Sequence, residues 1–323
     1  MSDDIIRDFP NLNDAKEAIE RIKEKGFPNY DNFKNHNEYI KVVSDLITEE
    51  FGNLPNLLSI LPRKNFAMDI FRVRPLDDIQ NINLFSQHSY PPINVVGFGR
   101  CNFPNYPVFY GSNNPLTALL EVARENGGTS KKYCISKWNI ESENDIIFQS
   151  FIQAKLIENS DYDGLRESQR KRINEPFKGK LTQGQCDGII LLLEFLDTCF
   201  ITDKKYAVSS CLAHRAIYSE HNLKTDILMY PSIQTQYTGI NFAINPNYVD
   251  NYMQLNRLYI MELVKYNPET REMKFSLSQY GEIKGNGITW KNINPNDQNY
   301  LNIVKDDFND LLGPDSESSF EEI

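Results

Sequence analysis

The spacing of apolar residues predicts that the chain begins with helices. Apolar positions recur every three or four residues in two stripes, which is the pattern of a helix with one buried face. Gly26 and Gly52 follow the stripes and are typical of helix ends. The stripes consist of Ala15, Ala18, Ile19 and Ile22, and of Tyr39, Val42, Val43, Leu46 and Ile47. We therefore predict a helical region over residues 1–65 that packs as a cap on the main domain.

A strand followed by a short helix is predicted between residues 107 and 128. The apolar run 108–110 lies between a proline and a glycine, as a buried strand does. Residues 112–115 supply turn and N-cap chemistry, and leucines then recur at helical spacing up to a glycine pair. Tyr110 then ends the strand, and Glu121 lies about two turns inside the helix. A carboxylate beside such an apolar stripe is desolvated unless it finds a partner.

Alternation of polar and apolar residues predicts strands in the rest of the chain. Residues 132–138 alternate in this way, and residues 204–220 predict a helix that buries Tyr206, Cys211 and Ile217. After residue 245, the expected strands are 258–266, 273–277 and, as a third, 281–290, with a turn at 267–270.

One stretch of the sequence, residues 161–180, is polar, and its charge is basic beyond Gly164. After Gly164 it carries six basic residues and two acidic ones. Two interpretations stay open for it. It is a solvated helix or loop, or it is a mobile basic segment that helps to hold a diphosphate.

Charge is concentrated at the end of the chain. The net charge is −10 over 323 residues, but seven acidic residues and no basic one lie after residue 305, which leaves −3 for the first 305 residues. We predict a solvated acidic tail over residues 304–323. The nearly neutral body argues against direct binding of nucleic acid or of an anionic membrane, because both require a positive excess.

Cysteine usage and the apolar runs indicate a cytoplasmic protein without a metal site. The five scattered cysteines fit free thiols in a reducing compartment. Neither a secretory signal nor an apolar run of membrane-spanning length is visible. Cys211 and His214 are three residues apart on a predicted helix, which suits metal ligands, but no second pair completes a site.

Five short motifs follow one another in an order that defines a known pattern. Arg100 and Tyr110 are ten residues apart, and Tyr110 and Glu121 are eleven apart. The motifs are Phe71-Arg72-Val73, Gly99-Arg100, Tyr110, Ala118-Leu119-Leu120-Glu121-Val122, and Tyr230-Pro231-Ser232 followed by Gly239-Ile240-Asn241. In this order they resemble the RES domain, which is named for its Arg, Glu and Ser. The resemblance covers residues 68–245, about half of the chain.

The resemblance implies both a fold and a function. Known RES domains are toxins of toxin–antitoxin pairs that break down NAD, and their fold is similar to that of ADP-ribosyltransferases. The expected fold class is therefore α+β, an ADP-ribosyltransferase-like RES domain with a helical N-terminal cap and a C-terminal β extension. The expected division is a helical region (1–65), the RES domain (66–245), the β extension (246–303) and the acidic tail (304–323).

Carried over residue by residue, the resemblance assigns catalysis to Glu121, Arg100 and Ser232. Breaking the nicotinamide–ribose bond leaves positive charge on the ribose, which the Glu121 carboxylate would stabilise. Arg72 and Arg100 would bind the pyrophosphate, and Arg100 would also reach the ribose or the carboxylate. Tyr110 would offer its ring to nicotinamide. Ser232 would orient the ribose or Glu121.

The expected activity is cleavage of NAD at the nicotinamide bond, by hydrolysis or phosphorolysis, with NAD as substrate and no metal. Two alternatives stay open. One is transfer of ADP-ribose to a protein or nucleic acid, and the other is a non-catalytic module that binds NAD without consuming it. A separately encoded antitoxin is the expected protein partner. The segment between Glu121 and Ser232 is longer than in compact members of the family, which leaves the acceptor open.

Overall fold

The computed structural model shows a mixed α+β fold built on one large sheet. The residues that it describes are 9–52, 54, 58–61, 68–123, 131–141, 144–150, 167, 170–218, 220, 224–235, 239–266, 273–285, 287–293, 296 and 298–308. Within these ranges the helices are α1 (Leu12–Lys25), α2 (His36–Phe51), α3 (Pro115–Ala123), α4 (Gln183–Thr202), α5 (Ala207–Ile217), α6 (Pro246–Tyr252) and α7 (Gln298–Phe308). The strands are β1 (Leu58–Leu61), β2 (Asp69–Pro75), β3 (Phe109–Ser112), β4 (Lys131–Ile140), β5 (Ile146–Ser150), β6 (Ile227–Pro231), β7 (Ile240–Ile244), β8 (Met253–Tyr266), β9 (Met273–Lys284) and β10 (Gly287–Asn292).

The sheet has the strand order β1-β5-β6-β7-β3-β2-β4-β8-β9-β10. Among the described strands every neighbouring pair is antiparallel except β5 and β6, which run parallel. At its centre, β2 and β3 are joined by the single pair Phe71 and Ser112. Directly paired residues point to the same side of a sheet. We call the side that carries Phe71 and Ser112 the helical face.

Two groups of helices cover the helical face. Helices α3 and α7 pack over β2, β4 and β8, in an apolar cluster that includes Leu119, Val304 and Tyr259. Helices α4 and α5 pack over β3, β6 and β7, in a cluster that includes Phe200 and Ala243. Helix α3 also contacts β3 and β7, so it lies beside the centre of the sheet.

The two predicted N-terminal helices are confirmed by α1 and α2. The first stripe is buried along its whole length, and Asn11 and Asp14 form a capping box at the start of α1. In the second stripe Tyr39 and Val43 are buried, whereas Val42 is 41% exposed, so its predicted burial is wrong. The helical prediction for residues 1–65 also fails at its end, because β1 pairs there with β5. No helical stripe reaches residues 58–61, and their main chain pairs with β5 at the edge of the sheet instead.

The C-terminal strands extend the same sheet. β8 pairs with β4 along its length, and β9 and β10 follow outward. The strands predicted at 258–266 and 273–277 are confirmed as parts of β8 and β9. The third predicted strand is divided between the end of β9 and β10. The turn predicted at 267–270 lies outside the described residues.

The prediction that all acidic residues after residue 305 are solvated is wrong for Asp307. Its carboxylate is fully buried and accepts hydrogen bonds from Lys137 at 2.6 Å, from Arg257 at 3.1 Å and from Tyr259. Burial and then the Asp307 charge raise the pKa of Tyr259. The cause lies in α7, whose apolar residues pack on the sheet and bring Asp307 onto β4 and β8. The adjacent Asp306 is exposed, as predicted.

We expect Asp307→Asn to lower the free energy of unfolding by about 2–4 kcal/mol. The substitution keeps the side-chain volume but leaves Lys137 and Arg257 partly buried without their shared carboxylate. Asp306→Asn is the matched control, and it should change stability by less than about 0.5 kcal/mol. Urea unfolding of the three proteins measures both values. Equal stability of the two variants would show that the buried charges contribute nothing.

An aromatic cluster joins α2 and α5 to the segment that precedes β3. The rings of His36 and His214 lie 5.3 Å apart, and Phe103 and Tyr106 pack on His214 with centroid distances of 5.3 and 4.7 Å. Burial, and then the nearby His36, lower the pKa of His214 to about 4. Burial also lowers the pKa of His36. The folded protein therefore holds both imidazoles neutral at neutral pH.

Acid should destabilise the fold through this histidine pair. An unfolded histidine is protonated below about pH 6.5, whereas His214 in the folded protein resists protonation down to about pH 4. Stability is therefore present above pH 6.5 and is lost as the pH falls toward 4. Allowing for partial solvent screening, we expect a loss of about 1–2 kcal/mol between pH 7 and pH 5. Urea unfolding of His214→Gln at both values should show a smaller loss, and equal losses would contradict the assignment.

Candidate functional site

The candidate site is centred on the Glu121 carboxylate, which two distant residues hold in place. Its Oε1 accepts a hydrogen bond of 2.5 Å from the Ser232 hydroxyl and one of 2.8 Å from the Asn241 side-chain amide. Glu121 lies in α3, Ser232 directly follows β6 and Asn241 lies in β7. The structure therefore brings together the glutamate and serine that the motif pattern singled out.

The register of the central strands explains how these side chains meet. Asn241 is paired with Ser112 of β3 on one side and with Tyr230 of β6 on the other. The Ser112 hydroxyl donates a hydrogen bond of 2.7 Å to the side-chain oxygen Oδ1 of Asn241, which leaves the side-chain nitrogen Nδ2 to donate to Glu121. All three polar partners of this network, Ser112, Asn241 and Ser232, are buried. A buried network whose members are satisfied holds its groups in one arrangement.

A close approach ties the turn after β6 to helix α3. The Ser232 amide donates to the Gly239 carbonyl oxygen at 2.9 Å, which closes the turn. A Cβ atom on Gly239 would lie 2.4 Å from the Thr117 hydroxyl, one turn before Glu121 on α3. Only glycine fits this contact, so the turn that carries Ser232 lies directly against the helix that carries Glu121.

Tyr110 lies near this network on the helical face, two residues before Ser112 on β3. Its hydroxyl accepts from the Cys101 amide at 2.8 Å and donates to the Asn102 side chain at 2.7 Å. Burial raises the pKa of Tyr110. Since the hydroxyl is used to hold the turn at residues 97–102, the ring is the part that a ligand would contact.

A small cavity of about 180 Å³ adjoins the ring of Tyr110. Its apolar wall includes Val95, Val96 and Val108, and Asn102 provides a polar group. Gly97, Phe98 and Asn102, from the turn that carries Arg100, also line the cavity.

Arg100 is directed toward the end of α4 in this structure. Its guanidinium donates hydrogen bonds to the carbonyl oxygens of Phe200 and Ile201, the latter at 2.8 Å. It also lies over the ring of Tyr206, 5.1 Å from the ring centroid. Among the described residues these are its polar contacts, and they do not include Glu121. The roles predicted for Arg100 at the carboxylate and the pyrophosphate stay predictions.

Arg72 lies on the opposite side of the sheet from Glu121. Its neighbours Phe71 and Val73 pack with α3, so the alternation of β2 turns Arg72 away. Its Nη1 donates to the Tyr110 carbonyl oxygen at 2.9 Å, and its buried Nε has no hydrogen-bond partner among the described residues. Burial and then Arg74 lower the pKa of Arg72 to about 10. Its predicted contact with a pyrophosphate stays a prediction.

The part of the basic stretch that the structure describes is held by ion pairs and apolar contacts. Arg170 pairs with Glu194 of α4, and Arg172 pairs with Glu175 at 2.8 Å. Ile173 is buried in an apolar cluster with residues of α4. From residue 170 onward these contacts agree with a segment that packs against α4 and keeps other charged side chains in solvent. Residues 161–166, 168 and 169 lie outside the described residues.

Sequence reasoning missed three residues that shape the site. Asn241 was quoted within a motif but received no role, because its contact with Glu121 depends on the strand register. Asn102 had no visible signal, and Tyr206 was predicted only as a buried residue of a helix. Tyr206 was expected inside a helix, but α5 begins one residue later and Tyr206 is only partly buried. The predicted burial of Cys211 and Ile217 is confirmed.

No protein-family model matches the chain, and no curated protein matches it. In the described part of the structure, no helix is both long and apolar enough to cross a membrane. The same residues contain no cluster of three or more His, Cys, Asp or Glu side chains arranged to hold a metal ion.

We expect Asn241→Leu to destabilise the fold by about 1–3 kcal/mol. The substitution removes a donor to Glu121 and an acceptor for Ser112, which leaves both groups short of a partner inside the protein, and the larger Leu side chain must be accommodated at a buried position. Asn247→Leu, at an exposed position on α6, is the matched control and should cost less than about 0.5 kcal/mol. Chemical unfolding gives both values. A cost for Asn241→Leu no larger than that of the control would remove the network from its central role.

Proposed function

We propose that the protein binds NAD and cleaves the bond between nicotinamide and ribose, by hydrolysis or phosphorolysis. The observation that carries the proposal is the contact of Glu121 with Ser232 across 111 residues of sequence. These two residues, together with Arg100, are the ones that the resemblance to RES domains assigns to catalysis. The proposed function requires Glu121 and Ser232 to lie together in the fold. They are in contact although 111 residues separate them in the sequence.

The chemistry of the reaction suits a fixed carboxylate. As the nicotinamide leaves, positive charge develops on the ribose, as in glycoside cleavage. A carboxylate that is already oriented stabilises this charge without reorganising during the reaction. Ser232 and Asn241 hold Oε1 of Glu121 from two directions. The proposal assigns Glu121 to the ribose, and Ser232 and Asn241 to the orientation of Glu121.

The cavity beside Tyr110 supports a place for the nicotinamide ring. At about 180 Å³, it is smaller than the roughly 300–1,000 Å³ pockets that enclose drug-sized ligands, and its size suits a single ring. Tyr110 and Ser112 share one face of β3, and positions two apart on a strand are separated by about 7 Å. Ser112 is hydrogen-bonded to Asn241, which is hydrogen-bonded to Glu121. A ring at Tyr110 and a ribose at Glu121 are therefore at neighbouring positions.

The arginines support binding of an anion. Arg72 is a guanidinium that is desolvated and has no carboxylate partner among the described residues. Such a charge is costly to bury alone, and a phosphate group would compensate it. Arg72 projects from β2 and reaches β3, where its Nη1 donates to the Tyr110 carbonyl oxygen. We infer that Arg100 binds the diphosphate from the helical face and that Arg72 contributes positive charge from the other side of the sheet.

The first test is nicotinamide release from NAD by wild-type protein and by Glu121→Gln. The variant keeps the size of the side chain and removes its charge, so we expect the rate to fall by about 100- to 1,000-fold. Glu38→Gln, at an exposed position on α2, is the control and should keep the wild-type rate. Release is followed by chromatography with and without phosphate, and phosphate dependence separates phosphorolysis from hydrolysis.

Other outcomes of this test favour the alternatives. Radiolabel from NAD that appears on a protein or nucleic acid would indicate transfer of ADP-ribose. Binding of NAD without release of nicotinamide would leave a non-catalytic module. Continued release by Glu121→Gln would refute the assigned role of this residue. If NAD is consumed, the consequence in a cell is NAD depletion and arrest of growth, which is a toxin-like activity that a separately encoded antitoxin would control.

A further inference from the structure

The guanidinium of Arg100 is held by the end of α4 and by Tyr206, the residue that precedes α5. The carbonyl groups of Phe200 and Ile201 belong to the last turn of α4, where carbonyl oxygens have no partner within the helix and carry the negative end of its dipole. The ring of Tyr206 covers the guanidinium from a second direction. An arginine held by two carbonyl groups and one aromatic face has few other positions open to it.

The turn between α4 and α5 is built to present Tyr206. Asp203 accepts hydrogen bonds from the amides of Lys205 at 2.8 Å and Ala207 at 3.0 Å, and the Tyr206 amide donates to the Asp203 carbonyl oxygen. Tyr206 has φ 56° and ψ 24°, a left-handed conformation that is unfavourable for a residue other than glycine. Backbone strain of this kind persists where surrounding contacts impose it, and it concentrates at functional sites.

The backbone of Arg100 is fixed from its other side. Gly99 and Asn102 form an isolated bridge, and the Asn102 side-chain nitrogen donates to the Gly97 carbonyl oxygen at 2.6 Å. A Cβ on Gly99 would lie 2.7 Å from the Asn102 side chain, so this turn is tight. With its backbone and its guanidinium both held, Arg100 links the turn that contacts Tyr110 to the end of α4 and to the residue before α5.

We propose that Tyr206 is a positioning residue for Arg100, and that the turn 203–206 sets the direction from which Arg100 meets the substrate's diphosphate. The inference rests on the proposed function. It also gives the helices around the turn a role. Phe98, two residues before Arg100, stacks on Tyr30 with a centroid distance of 4.5 Å. The segment that carries Arg100 is therefore also packed against the N-terminal region. Tyr206 acts through Arg100 and does not itself touch the reacting atoms.

The test compares two substitutions at Tyr206 by steady-state kinetics with NAD. Tyr206→Leu removes the aromatic face, and we expect KM to rise about 10-fold with kcat within about threefold of wild type, because a cation–π contact is lost from a binding group. Tyr206→Phe keeps the face and should restore a KM close to that of wild type. Tyr280→Leu is the matched control. It removes another tyrosine–cation contact, with Lys291, on a strand four places from β3.

A double substitution separates positioning from general structural damage. In an Arg100→Ala background Tyr206→Leu should have no further effect on KM, because the residue through which it acts is gone. An additive rise in KM would overturn the proposal. Thermal unfolding of each variant shows whether a loss of stability accompanies the change, and a shift in KM confined to Tyr206→Leu is not expected from lower stability alone.

A second readout does not depend on NAD. In protein labelled with ¹⁵N-arginine, the Arg100 side-chain resonance is assigned by its absence from Arg100→Ala. We expect the Tyr206 ring to displace this resonance, and we expect Tyr206→Leu but not Tyr206→Phe to abolish the displacement. If wild type releases no nicotinamide, the proposed function fails and this measurement alone decides the positioning. An unchanged resonance in Tyr206→Leu, or a lost displacement with unchanged KM, would overturn the inference.

Discussion

The pair of hydrogen bonds that converge on one oxygen of Glu121 is the interaction on which the centre of this structure depends. Each donor reaches the carboxylate through a different element, Ser232 through the turn after β6 and Asn241 through β7. Helix α3, the turn and the strand are therefore fixed relative to one another at a single atom. The contact between Gly239 and Thr117 reinforces this arrangement without adding polar groups. Displacement of any of the three elements would break a buried hydrogen bond, which proteins rarely tolerate.

The sequence predicted well what local patterns control. The stripes of α1, the strand at Tyr110 and the helix that begins at Pro115 follow from periodicity and capping, which act over a few residues. Glu121 and Ser232 were paired through motif order, and the structure places them in contact. What was missed depends on register and on tertiary packing. The role of Asn241 follows from its pairing with Ser112, and no local pattern encodes that choice.

Two charged residues show why prediction from composition failed at the C-terminal end and stays incomplete at the site. Asp307 belongs to an acidic stretch, yet the apolar residues of its helix draw it into the protein, where Lys137 and Arg257 neutralise it. Arg72 lies in a strand of alternating burial, and its charge has no such compensation among the described residues. Net charge describes neither case, because the free energy of a buried charge depends on its immediate partners.

The strand order has a consequence for the time at which the site comes into existence. Its parts come from α3, from the end of β6 and from β7, and Ser232 and Asn241 lie 111 and 120 residues from Glu121. Contacts at such separations form late, because the entropy of closing the intervening loop must be overcome before they contribute. A chain that has formed only its N-terminal helices and the pair of strands β8 and β9 does not yet hold the Glu121 carboxylate between Ser232 and Asn241. Under the proposed cleavage of NAD, slow assembly of the centre of the sheet would delay activity until folding is complete.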